Sequence, residues 1–291
     1  MIVKINFLWG FLLGIAEFQK FYGDMWGERW SALWQSLAAP EKQVARRNLF
    51  LEGSGPLWLT AFEFKEIPRG SDGLLQYYIM DQASIYAGQA MEVQPGDKVL
   101  DMCAAPGGKT LILAEALRGD GELSANEMSE ARRDRLKKVI QQYIPRSVRD
   151  RVWVTGKDGG KFALSHKDQF DRILVDAPCS GEQHLLENKT EMSEWKPSRS
   201  EKLAQRQYAL LTAALLAVKP GGRIVYSTCS ISNLENDEVI ARLLKKKEGQ
   251  FLVVETTAPH ELAEKTKYGW QFLPDRSHMG PIYFSVLKRS Q

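Results

Sequence analysis

The spacing of apolar positions changes character along the chain. Over residues 1–50 it has a helical period: Phe18, Tyr22, Trp26, Trp30 and Trp34 recur every four residues and line one face of a helix or two. This predicts a helical segment whose aromatic stripe packs on its neighbour. Residues 51–95 are mixed, with a strand expected over 57–64, a turn over 68–73 and a helix over 82–91. From residue 96 onward, short apolar runs alternate with longer amphipathic ones. The runs 98–102, 122–126, 152–154, 172–175 and 223–227 read as buried strands. Between and after them, 110–117, 131–142, 203–217 and 235–246 read as helices, and 251–255 and 282–287 as late strands. Strands alternating with helices of this length predict an α/β fold, a mostly parallel sheet with helices on both faces. The expected division is a small helical and mixed region over 1–90 and a larger domain over 91–291.

Composition narrows the class. The 291 residues are 44% hydrophobic and 26% charged, which is globular and excludes a disordered or fibrous chain. Basic residues outnumber acidic ones by 39 to 36, which permits nucleic acid as a partner without requiring it. Three cysteines cannot form a disulfide framework, so reduced thiols are expected. The apolar stretch 5–16 is too short to span a bilayer. It runs into Glu17-Phe18-Gln19-Lys20 with no small-x-small cleavage site, so neither a signal peptide nor a membrane partner is expected.

Candidate chemistry clusters at strand ends. Cys103-Ala104-Ala105-Pro106-Gly107-Gly108-Lys109-Thr110 lies where the first strand of the domain gives way to a helix, the place where open parallel sheets bind ligands. Gly108-Lys109-Thr110 invites a phosphate-loop reading, but that motif needs glycine where Cys103 stands. Glu127 closes the next strand, 26 positions after Asp101, where an acid can hold a ribose hydroxyl. Asp158 follows the third strand and is placed to reach a base. Together these suggest a nucleoside-bearing ligand without a triphosphate. Asp176-Ala177-Pro178-Cys179-Ser180-Gly181 and Tyr226-Ser227-Thr228-Cys229-Ser230 end two successive strands. One such cysteine reads as a small buried hydrophobe, but two on the ligand side of a sheet, one near an aspartate, point to a reactive site. The four histidines form no metal-ligand pair, and Pro178-Cys179 lacks the second cysteine of a zinc deaminase because Glu182 stands there. No metal is expected.

These three motifs, in this order, resemble the Sun (Fmu) family of S-adenosylmethionine-dependent RNA cytosine-C5 methyltransferases. The similarity runs from Tyr78 to Leu287 and includes Tyr78-Ile79-Met80-Asp81-Gln82-Ala83-Ser84 and Gly280-Pro281-Ile282-Tyr283-Phe284. Met80 stands where bacterial members usually have Gln. The helical start resembles the mitochondrial ribosomal-RNA branch, which implies a mitochondrial location, the alternative being cytoplasmic. Glu182-Gln183-His184-Leu185-Leu186 replaces an arginine-bearing run found in many members.

The resemblance implies a Rossmann-like methyltransferase fold with a seven-stranded sheet. It implies Cys229 as nucleophile toward cytosine C6, Cys179 as the group assisting product release, and Asp176 on the cytosine edge. Lys109 would favour the thiolate. S-adenosylmethionine would be held by Cys103, Ala104, Ala105, Pro106, Gly107, Gly108 and Lys109 with Glu127, Asp158 and Asp176, and Arg132 would brace the site. RNA is the implied partner, ribosomal RNA ahead of tRNA, with backbone contacts sought among Arg132, Arg133, Arg135, Lys137, Lys138, Lys196 and Arg199. With no evident RNA-binding domain, a protein partner could supply affinity to a chain that is monomeric on its own. A DNA methyltransferase and a non-catalytic assembly factor are the rival readings. The intact Cys179, Cys229 and Asp176 disfavour the second.

Overall fold

The parallel strands form where apolar residues run almost without interruption, because such strands are covered on both faces. In the computed structural model, which describes residues 2–39, 42–53, 56–60 and 65–291 (side chains from Leu13 onward), the chain opens with α1 (Ile2–Trp26) and α2 (Trp30–Leu37), followed by β1 (Gln43–Arg47), β2 (Trp58–Thr60), β3 (Tyr77–Asp81) and α3 (Gln82–Gln89). The α/β part follows: β4 (Lys98–Asp101), α4 (Gly108–Ala116), β5 (Glu122–Asn126), α5 (Glu130–Tyr143), α6 (Arg146–Arg149), β6 (Val152–Thr155) and β7 (Phe170–Asp176). Next come α7 (Glu182–Glu187), α8 (Lys189–Ser193), α9 (Ser198–Ala217), β8 (Val218–Thr228) and α10 (Asp237–Lys246). The chain closes with β9 (Phe251–Val253), β10 (Glu264–Lys265), β11 (Trp270–Phe272), α11 (Pro274–Ser277) and β12 (Ile282–Arg289).

Side chains alternate across the sheet as a two-residue period requires. Val99, Leu174 and Val225 enter the core under α3, α4 and α5. Leu100, Ile173, Val175, Ile224 and Tyr226 enter the core under α9 and α10. The strand order is β10-β11-β12-β8-β7-β4-β5-β6, with β9 also on β12. The pairs β8·β7, β7·β4, β4·β5 and β5·β6 are parallel, and β12 runs antiparallel to β8. The chain winds outward from β4 through β5 to β6, then returns to the other side through β7 to β8. The switch between β4 and β7 opens the crevice in which such sheets bind ligands.

Several expectations need correction. The sheet has nine strands rather than seven among the described residues: the two- and three-residue β10 and β11 are too short for a pattern to mark. Residues 43–47 are a strand, not the end of a helical segment. β1 lies between β2 and β3 in a separate antiparallel sheet, with Gln43 opposite Asp81 and Arg46 opposite Trp58. Pairing partners distant in sequence overrode the local helical pattern. The strand expected over 57–64 is present as β2, and residues 61–64 lie outside the described residues.

The aromatic stripe packs inward, as expected. Phe18, Tyr22 and Trp30 are buried against Trp195, Met192, Leu185, Ile231 and Leu273. Phe18 meets the edge of Trp195 at 5.0 Å between ring centroids, and Tyr22 stacks on Trp30 at 5.6 Å. α1 therefore rests on the segment that follows β7. Truncating a buried Trp removes a large apolar surface and leaves a cavity. Trp195→Ala should lower the unfolding free energy by about 3–5 kcal/mol in a urea titration. A loss below about 1 kcal/mol would mean that this aromatic cluster does not hold the N-terminal helices down.

Candidate active site

The loop between β4 and α4 turns sharply, and glycine is required in two places. Gly107 has φ +125°, and a Cβ on it would come within 2.9 Å of Val139. A Cβ on Gly108 would come within 2.8 Å of the Tyr78 ring. The loop is thus pressed between α5 and β3 with its backbone facing the crevice. The Ala105–Pro106 peptide is cis. Arg132, from α5, donates to the Ala105 carbonyl at 2.7 Å and approaches Glu127 at 3.6 Å.

The ends of β7 and β8 supply the other wall. Asp176 stands opposite Ser227 in the parallel ladder. Its Oδ1 accepts from the Ser227 hydroxyl at 3.0 Å and its Oδ2 from Lys109 Nζ at 3.0 Å. Lys109 also donates to Ser84 Oγ at 3.3 Å. Lys109, Asp176 and Cys229 line one cavity of about 230 Å³ with the backbone of residues 104–108.

Cys179 and Cys229 are joined as a disulfide, Sγ atoms 2.50 Å and Cα atoms 6.2 Å apart. Adjacent parallel strands end at the same level, so the two cysteines that end successive strands meet, as their placement on the ligand side of the sheet led one to expect. Cys103 stays free, and burial pushes its thiol up, beyond the reach of neutral pH. It contributes a small side chain to the loop and no nucleophile.

Two acids flank the loop. Asp101 is fully buried and accepts from Thr110 Oγ1 at 2.7 Å, while its Oδ1 has no partner. Burial pushes its carboxyl up to about 7, with neighbouring Asp176 adding to the rise and the Thr110 hydrogen bond opposing it. Glu127 is 5% exposed. Its Oε1 accepts from the Ser129 amide at 2.9 Å, but its buried Oε2 has no hydrogen-bond partner. A buried carboxylate oxygen without a donor fits a ligand that brings one.

Asp158 is less simply placed. It caps a short 3-10 turn through the Gly160 amide at 3.1 Å and pairs with Arg206 of α9, which holds its carboxyl below the usual range. Both bonds use Oδ1. Neither Asp158 nor Glu127 lines the cavity that holds Cys229. Of the basic residues sought for RNA, Arg133 is engaged with the Glu127 and Met128 carbonyls and Arg199 with Glu191. Arg135, Lys137, Lys138 and Lys196 are exposed, and Lys137 pairs with Asp134.

Sequence reasoning gave no role to Ser84, His184 and Gly280, which line the same cavity. Asp81 caps α3 through the Ser84 amide and accepts from the Gly280 amide at 2.6 Å, so two segments 199 residues apart close over the site. The resemblance had marked both segments, but neither carries a periodicity that reveals the contact. Among the described residues no cluster of His, Cys, Asp or Glu is arranged to hold a metal ion.

Comparison with known proteins gives a consistent set. The family model described as 16S rRNA methyltransferase RsmB/F matches residues 88–288. The bovine (Bos taurus) 5-cytosine rRNA methyltransferase NSUN4 is 46% identical over 189 residues, covering 63% of this chain and 49% of that protein. The zebrafish (Danio rerio) mitochondrial tRNA (cytosine(34)-C(5))-methyltransferase is 36% identical over 229 residues, covering 74% and 61%. The chain spans about half the length of the first of these relatives. The fold is shared with the crystal structure of NSun6 from Pyrococcus horikoshii, at a TM-score of 0.75 and 18% identity, over 94% of this chain and 98% of that one.

The raised Asp101 carboxyl has a consequence for stability. Its folded pKa lies above its unfolded value, so its contribution is complete below about pH 4 and is lost as the pH climbs toward 7. Asp101→Asn cannot ionise. Relative to the wild type, the variant should therefore gain stability steadily between about pH 4 and pH 7, read from urea midpoints at each pH. A constant difference across that window would show that Asp101 titrates normally.

Proposed function

Because the chain belongs to the RsmB/F methyltransferase family, we propose that it transfers a methyl group from S-adenosylmethionine to C5 of a cytosine in RNA, through a covalent bond between Cys229 and C6. The observation that carries this reading is the convergence of Cys229, Asp176, Lys109 and the 104–108 backbone on one cavity. C5 of cytosine is a weak nucleophile, and addition of a thiolate at C6 makes it an enamine carbon. The reduced form of the Cys179–Cys229 pair is the form that reacts.

The residues divide the work as follows. Lys109, 3.0 Å from Asp176, places a cation beside the pocket and favours Cys229 as thiolate. Asp176, fixed by Lys109 and Ser227, accepts a hydrogen bond from the cytosine amino group, and the Lys109 cation beside it offsets the negative charge that builds on the ring as the thiolate adds. S-adenosylmethionine, when bound, supplies an electrophilic methyl group. Glu127 Oε2, which has no hydrogen bond and only the Arg132 guanidinium 3.6 Å away, fits its ribose hydroxyls, the 104–108 backbone its amino-acid end, and Asp158 Oδ2 its adenine side. Arg132 holds the loop through Ala105. After the C5 carbon has taken the methyl, the Cys179 thiolate accepts the C5 proton as the C6–sulfur bond breaks, and the electron pair returns to Cys229 as thiolate.

C6 is reachable only when the base is out of a stack, so the substrate is a loop nucleotide or an extruded one. Ribosomal RNA is the favoured substrate and tRNA the alternative, the two substrate classes named for the bovine and zebrafish relatives. A mitochondrial setting, a monomeric chain and a protein partner that adds RNA affinity complete the reading. No helix among the described residues is long and apolar enough to cross a membrane.

Two experiments test it. Glu127→Ala should weaken S-adenosylmethionine binding by about 1.5–3 kcal/mol in calorimetry with little change in melting temperature; unchanged affinity removes Glu127 from the cofactor site. The thiols separate by trapping. Cys229→Ala should abolish both methylation and covalent RNA adducts, whereas Cys179→Ala should accumulate an adduct that survives a denaturing gel. Adduct from Cys229→Ala and none from Cys179→Ala would reverse the roles and favour the DNA-type mechanism. Assaying ribosomal RNA and tRNA in parallel identifies the substrate class.

A further inference from the structure

Behind the two cysteines lies a buried polar cluster that the reaction above does not use. Glu182 and Glu235 are both fully buried. Ser180 follows Cys179 in the chain, and Ser230 follows Cys229. Glu235 reaches both: its Oε1 accepts from the Ser180 hydroxyl and faces Ser230 Oγ at 3.3 Å, and its Oε2 accepts from the Ser180 amide at 3.0 Å and from Gln207 at 2.8 Å. Glu182 holds the second loop from the other side. Its Oε1 accepts from Ser230 Oγ at 2.7 Å and its Oε2 from the Ile231 amide at 3.2 Å. The last donor to Glu182 comes from α1, where the Tyr22 hydroxyl reaches Oε1 at 2.5 Å.

We propose that Glu235 and Glu182 are positioning residues, a two-carboxylate clamp that ties the Cys179 loop to the Cys229 loop and is closed by Tyr22 from the N-terminal helix. The geometry leaves little else for these groups to do. Neither carboxylate lines the cavity, so neither touches substrate. Two carboxylates this close are costly to bury unless their oxygens are satisfied, and most of the donors that satisfy them, Ser180, Ser230 and Ile231, lie within two residues of the cysteines. Burial and the neighbouring Glu235 push the Glu182 carboxyl up to about 7, so the pair need not carry two full charges. Glu182 receives the Tyr22 hydroxyl from α1, which makes the aromatic helix part of the catalytic loop's support.

The inference rests on Cys179 and Cys229 acting as a pair, and its test is chosen to stand apart from the RNA reaction. The reduced protein is treated with oxidised glutathione, and formation of the Cys179–Cys229 disulfide is followed by mass mapping. Two thiols are oxidised as one glutathione disulfide is reduced to two glutathione thiols. Glu235→Gln should slow bond formation between the two sulfurs by about tenfold or more, since a small misplacement of two reacting atoms has an effect of that size or larger. Tyr22→Phe, which removes one hydroxyl, should slow it several-fold. Both variants should retain wild-type S-adenosylmethionine affinity, a readout that general loosening of the fold would move. In the RNA reaction both should shift the balance toward trapped adduct, because release depends on where Cys179 sits.

Oxidation at the wild-type rate in both variants would overturn the clamp. So would cofactor affinity falling in step with oxidation rate. If Glu235→Gln does not fold, Tyr22→Phe and Ser180→Ala carry the same test, and wild-type rates in both overturn it. If wild-type protein methylates no cytosine in RNA while the variants still oxidise slowly, the proposed reaction fails and the clamp stands.

Discussion

Asp176 stands opposite Ser227 in the parallel ladder between β7 and β8, and that register places everything else at the site. It brings the two strand ends level, so the loops beginning at Ala177 and Cys229 leave the sheet side by side. It gives Asp176 a hydroxyl on one oxygen, while the other faces Lys109 across the switch point from β4. A parallel ladder is fixed by the apolar residues it buries. A one-residue slip would turn Ile173 and Val175 away from the core beneath α9 and α10. Packing energy spread over two cores therefore specifies the position of a few polar atoms to within a hydrogen bond.

Charge is managed around this frame by burial and by partner choice. Asp101 is buried with one oxygen unpartnered and is pushed up toward neutrality. Glu127 keeps one oxygen without a hydrogen bond, 3.6 Å from the Arg132 guanidinium. Asp158, half-buried, is held low by Arg206. The Glu182–Glu235 pair is satisfied from within by serine hydroxyls, amides, Gln207 and Tyr22. Asp101 and Glu127, beside the loop after β4, each keep one oxygen without a hydrogen bond, whereas the carboxylates behind the cysteines have theirs filled.

Much of the frame was legible in the sequence because its signals are local. Glycines at Gly107 and Gly108, an acid after β5 and two cysteines at strand ends each follow from a short stretch of chain. The aromatic stripe read correctly because a four-residue repeat needs no partner to be recognised. What was illegible depends on which distant segments meet. The strand Gln43–Arg47 exists because Trp58–Thr60 and Tyr77–Asp81 flank it. Asp158 takes Arg206 because α9 crosses the 3-10 turn. Cys179 and Cys229, 50 residues apart, meet because their strands end level at Asp176 and Ser227 and the loops beyond turn toward each other. Glu182 was noticed as a departure from a family pattern, but its partner Tyr22 lies 160 residues away, and no spacing rule connects them.

The central claim is that the Cys229 sulfur bonds to cytosine C6 in RNA. The most direct measurement uses RNA carrying 5-fluorocytidine in place of cytidine, with S-adenosylmethionine and the reduced protein. Fluorine cannot leave C5 as a proton would, so the intermediate is held after methyl transfer. Digestion and mass spectrometry then locate the attached nucleotide. The account predicts a peptide containing Cys229 that bears one methylated, fluorinated nucleotide, with Cys179 unmodified. A nucleotide on Cys179, or methylated RNA with no adduct on either sulfur, would contradict it.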